Sequence, residues 1–124
     1  MPLYYLLTIY IDGGGKVAFS TSSTNGKVHT NSTVTLKRND YLRFRIGNNQ
    51  SALPTGTITI NPTKEIPFAS GSREWRWGPA DGDHPATPEC VLCDAKYGDY
   101  PCGLAVTLAD GAVKLSEFTI KIEK

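Results

Sequence analysis

The sequence is poor in the residues that most catalytic and metal chemistry uses. It holds two histidines, His29 and His84, three cysteines, and a single methionine at position 1. An enzyme needs an acid or base within reach of its substrate and a partner that tunes it. His29 sits in the short run "KVHT" with no cysteine nucleophile near it in sequence. H-E-x-x-H, G-x-S-x-G and phosphate-loop patterns are absent. Gly13, Gly14 and Gly15 follow a strand-like run, but the later spacing of a dinucleotide loop is missing and no helical pattern follows. Catalysis therefore has little to work with.

Charge of one sign is missing too. Thirteen basic residues against twelve acidic ones leave a net charge of +1, so no global field draws the chain to nucleic acid or an anionic membrane. No apolar run is long enough to span a bilayer as a helix. The opening "MPLYYLL" lacks the basic leader of a secretory signal. We expect a protein kept in the cytoplasm, where thiols stay reduced; a secreted mature form stripped of its leader would read the same way. Sustained helical periodicity, internal repeats and low-complexity tracts are all lacking.

What the sequence does have is alternation. Leu3, Tyr5, Leu7, Ile9 and Ile11 share one face at period two, and Tyr4, Leu6, Thr8 and Tyr10 share the other. Both faces of this first strand are largely apolar, which fits a strand covered on both sides or one whose second face meets a partner. "KVAF", "VHT" and "TVTL" follow, with Asn25-Gly26 as a turn signal. In "YLRFRI", Leu42, Phe44 and Ile46 oppose Tyr41, Arg43 and Arg45. "TITI", "REWRW", "LAVTL" and "VKLSEFTIKI" complete the series. In the last run the apolar parity changes between Leu115 and Phe118, and a bulge near Ser116 would restore one buried face. Residues 78 to 103 show no period, carry Pro79, Pro85, Pro88 and Pro101, and read as one long irregular loop.

Short strands separated by turns predict an all-β fold over residues 1–124: a single small antiparallel β-sandwich, Greek-key or jelly-roll-like, with that long loop at one end. "TVTLKRNDYLRFRI" resembles the strand, charged turn and strand of cupredoxin-like and other Greek-key sandwiches. The resemblance covers about a sixth of the chain and implies the fold alone. A copper site of that family takes two histidines, a cysteine and usually an axial methionine; here no histidine follows Cys102 and the methionine is Met1, so the copper is not carried over.

Four clusters could bind something. Cys90 and Cys93 make a C-x₂-C step, with Cys102 downstream and His84 upstream, and Cys₃His is an accepted zinc set. The same residues also read as ordinary reduced thiols, or as one disulfide with a thiol left over. Asp81, Asp83, Glu89, Asp94 and Asp99 could offer oxygens to calcium, although the calcium-loop spacing is absent and a solvated acidic loop is the plainer account. Trp75 and Trp77 share a strand face, with Glu74 and Arg76 on the other. If exposed, the indoles would make a strip for stacking a sugar, with Glu74, Arg76, Asp81 and Asp83 supplying hydrogen bonds; if buried, they are core. Lys37, Arg38, Arg43 and Arg45 gather with Tyr41 around one turn, a combination that binds single-stranded nucleic acid on small barrels. The near-zero net charge favours a solvated face instead.

The reading that follows is a non-catalytic binding or structural protein acting through protein–protein contacts, by self-association as a homo-oligomer or with another protein. A lectin-like carbohydrate-binding domain and a small zinc-stabilised accessory protein are the alternatives.

Overall fold

The computed structural model describes residues 3–11, 16–23, 28–29, 32–47, 55–78, 89–108 and 110–124. The described elements are strands joined by turns, without a helix: β1 (Tyr4–Ile11), β2 (Val17–Ser23), β3 (Val28–His29), β4 (Thr33–Lys37), β5 (Tyr41–Ile46), β6 (Thr55–Ile60), β7 (Glu74–Trp77), β8 (Glu89–Cys90), β9 (Gly98–Thr107) and β10 (Val113–Glu123). They form two five-stranded sheets, ordered β3-β2-β1-β5-β8 and β4-β10-β9-β6-β7. Packed together, these make the all-β sandwich that the alternation predicts.

Period two decides which side chains meet between the sheets. Leu7 and Ile9 of β1, Leu42, Phe44 and Ile46 of β5, and Phe19 of β2 turn inward from the first sheet. From the second come Val34, Leu36, Ile58, Ile60, Leu104, Val106, Phe118, Ile120 and Ile122, all at most 2% exposed. Burying a side chain of this size contributes about 1.5–3 kcal/mol.

The layers are mixed rather than wholly antiparallel. β1 runs parallel to β5, pairing Leu6 with Arg43, and β4 runs parallel to β10, pairing Leu36 with Ile122. The link between β4 and β5 therefore crosses from the second sheet to the first. Asn39 takes a positive φ of 70° in that turn, a conformation asparagine tolerates better than most residues. Buried Asp40 fastens it: its carboxylate accepts from the backbone N–H of Lys37 at 2.9 Å and of Leu3 at 3.0 Å, tying the turn to the start of β1.

Two expectations need correction. The β9–β10 ladder runs one-for-one from Val113–Thr107 to Ile122–Gly98, so no bulge interrupts it at Ser116. The change of parity is real instead: Val113 and Leu115 point outward, 62% and 80% exposed. Lys114, on the inward parity, is exposed as well, so this end of the hairpin extends past the cover of the opposite sheet.

Of the segment from 78 to 103, residues 79–88 lie outside the described residues, and the rest is less irregular than its composition implies. β8 pairs with β5, and β9 begins at Gly98, burying Tyr100 and Cys102. Pro101 reads as a strand breaker, yet β6 ends at Ile60, the partner of Cys102. The ladder on that side has stopped where the missing N–H would fall, while the Pro101 carbonyl still accepts from Asn61 N–H at 2.9 Å.

Candidate functional site

The indole strip does not form on the surface. Trp75 and Trp77 are 6% and 5% exposed and point into the sandwich. Trp75 packs against Phe44 of the other sheet at 5.1 Å between centroids and edge-on against Phe68 at 5.8 Å. Its Nε1–H donates to the Glu89 carboxylate at 2.9 Å, and the Ser70 hydroxyl donates to the same carboxylate at 2.5 Å. Glu89 is thus a buried bracket between β8 in the first sheet and β7 in the second. The reason is parity: with Trp75 and Trp77 inward, Glu74 and Arg76 turn outward and pair with each other. Sheet thickness separates the two halves of the proposed sugar site.

The cysteines do not converge either. Cys102 is 2% exposed on the inner face of β9, Cys90 belongs to β8 in the other sheet, and Cys93 is exposed in the turn after it. All three are free thiols, and no group of His, Cys, Asp and Glu among the described residues could hold a metal ion. Burial pushes the Cys102 thiol up to about 12, so the free thiol stays protonated. Glu89, one of the acids considered for calcium, is already committed to Trp75 and Ser70. Asp81, Asp83 and His84 lie outside the described residues.

What the fold does assemble is a surface on the outer face of the first sheet. The parallel register sets Tyr4 beside Tyr41 and Leu6 beside Arg43, and the antiparallel one sets Leu6 beside Ser22. Tyr4, 52% exposed, stacks on Tyr41 with centroids 4.6 Å apart and planes within 7°. That separation matches the spacing of neighbouring strands, about 4.8 Å. The two rings therefore stand side by side on the sheet, each covering one face of the other. A shallow depression of about 420 Å³ opens beside them, lined by Tyr4, Leu6, Ser22, Ser23, Tyr41 and Arg43. A hydrogen bond with the Cys90 side chain, then the charges of Cys90 and Tyr4, raise the Tyr41 pKa above its usual 10.0. Its hydroxyl remains a neutral donor through the physiological range.

The members of this surface are visible in the sequence as two separate sets, the second apolar face of β1 and the basic, aromatic turn of β5. Only the β1–β5 pairing joins them, and parallel pairing leaves no short-range signal. A second hollow, about 490 Å³, lies on the outer face of the second sheet over Thr57, Thr59, Gly103 and Ala105, with Leu115 and Glu117 at its side.

No protein-family model and no curated protein matches the chain. Among solved structures, it is similar to a chain of the Bacteroides ovatus mixed-linkage glucan utilization locus SGBP-B in complex with mixed-linkage heptasaccharide. The identity is 14% over 86% of this chain and 28% of that one, with a TM-score of 0.25. So weak a likeness carries no argument about function.

Proposed function

We propose that this chain is a non-catalytic binding module that holds another protein through the outer face of its first sheet. The observation that carries the reading is the exposed, ordered Tyr4–Tyr41 stack with Leu6 and Arg43 directly beside it. Tyrosine and arginine around a small apolar centre are the residue types that dominate binding energy at protein interfaces. Because the rings brace one another, little side-chain freedom is left to lose on binding.

The carbohydrate alternative has less to work with at this place, because the pair leaves only the outer face of each ring for a sugar to stack on. The wider surface is a shallow sheet face, suited to a protein of matching contour.

The test is photo-crosslinking in extracts of the cells that make the protein, with the reactive residue placed at Ser22 on the rim or at Thr57 on the opposite outer face. A discrete adduct from Ser22, absent from Thr57 and lost on Tyr4→Ala, is the expected result. Equal yields from both faces would refute the assignment of this face.

A further inference from the structure

The strand registers limit the chemistry of whatever covers this face. Going outward from the stack, Leu6 lies beside Ser22 and Arg43, Thr8 beside Ser20 and Arg45, Tyr10 beside Ala18, and Tyr41 beside Cys90. Among the described residues, none of these outward positions is an acid. The first sheet's described strands do contain one carboxylate, Glu89, but it faces inward and is bound to Trp75 and Ser70. The outward acids of the described strands, Glu74, Asp99, Glu117 and Glu123, are all on the second sheet.

From this placement, and resting on the binding reading above, we infer that the partner is a protein that brings a carboxylate to Arg43, and that a second copy of this chain does not pair through the same face. Any partner that dries Leu6 also dries Arg43, its direct cross-strand neighbour. Burying a guanidinium without a counter-charge is expensive, and the described residues of this surface supply none to Arg43, so the partner must. Arginine's planar fork takes both oxygens of a carboxylate, which fixes orientation as well as charge. A two-fold pairing would set this face against its own copy, bringing a second Arg43 and, among the described strands of the sheet, no outward acid. On this face the charge pattern therefore favours an acidic partner over a second copy.

The experiment uses the full chain with the photo-reactive residue at Ser22, in wild-type, Arg43→Glu and Arg43→Lys backgrounds, with circular dichroism confirming that each variant is folded. Arg43→Glu should cut the adduct about thirtyfold or more, the loss expected when one member of a desolvated charge pair is reversed. Arg43→Lys should restore a substantial part of it. Mass spectrometry of the digested adduct should find the crosslink in a segment containing Asp or Glu. Four outcomes would overturn the inference: an adduct unaffected by Arg43→Glu, one joined to a neutral or basic segment, one that protease leaves intact as a polysaccharide would be, or one of twice the chain's mass. In the first two of these the face still binds a protein and only the partner's charge is wrong, whereas absence of any adduct from Ser22 would remove the binding reading itself.

Discussion

Gly56 on β6 faces the sandwich interior opposite its cross-strand partner Trp77. A Cβ at this position would lie 2.1, 2.3 and 2.7 Å from Cζ2, Cη2 and Cε2 of the indole. These atoms belong to a rigid bicycle that is 5% exposed, so no flexible end can swing aside. Gly56→Ala should be destabilising for this reason alone. Replacing a strand glycine by alanine ordinarily gains about 0.5–1 kcal/mol of chain entropy. Forcing extra volume into a packed core costs about 1–3 kcal/mol, and expelling the indole altogether would approach the cost of deleting it, about 3–5 kcal/mol. The balance is a net loss of about 2 kcal/mol, read by urea unfolding at constant m-value. A double-mutant cycle isolates the cause: in a Trp77→Leu background, Gly56→Ala should become neutral or slightly stabilising, with a coupling of about 1.5 kcal/mol or more. If Gly56→Ala is as stable as wild type, or equally harmful in both backgrounds, the claim that Gly56 exists to seat Trp77 is wrong.

Three more expectations follow from the interior. Thiol reagent should label Cys93 first and Cys90 next, and reach Cys102 only on unfolding, as mass spectrometry of digests would show; early labelling of Cys102 contradicts its burial. Because burial raises the Cys102 pKa from 9.0 to about 12, its contribution to stability is whole below pH 9 and is lost as pH climbs from there toward 12. By pH 10 wild type should therefore have lost about 1 kcal/mol relative to a Cys102→Ala control, measured by denaturant unfolding at each pH; parallel profiles would sink this. Burial also raises Tyr5 and Tyr100 above 10.0, in the same direction, and the control retains both. Glu89→Ala strands the Trp75 N–H and should cost about 1–3 kcal/mol, while Glu89→Gln, which keeps an acceptor, should cost less. Equal losses would mean that the bracket is not what the carboxylate contributes.

The two-layer sandwich was legible because alternation is a local property: Leu42, Phe44 and Ile46 declare one buried face without reference to anything distant. The fate of Trp75 and Trp77 was not, since period two places both on one face but cannot say whether that face is wet. Phe44 and Phe68 settle it, from positions 31 and 7 residues before Trp75. Cys90, Cys93 and Cys102 looked like a ligand set because sequence distance was short. Strand membership separates them, and the start of β9 at Gly98 was hidden by Pro101, whose harmlessness depends on where β6 ends. The Tyr4–Tyr41 surface was half visible: each strand announced an unusual outer face, and their adjacency awaited the register.

The two parallel pairs have a consequence for how the chain reaches this structure. β1 and β10, the first and last strands, are each held by one arm of the same β4–β5 link. β4 has no other partner in its sheet, so its backbone groups wait until β10 has been made. Contacts so remote must recover the entropy of closing large loops before they contribute anything, which places folding in the slow range of β-rich domains, about milliseconds to seconds. On the ribosome, an incomplete chain would carry β4 as an open edge, a template for mispairing with a neighbouring nascent chain. Emergence of β10 pairs one side of β4 and leaves the other as an edge of the finished sheet, so half of that exposure ends only when β10 docks.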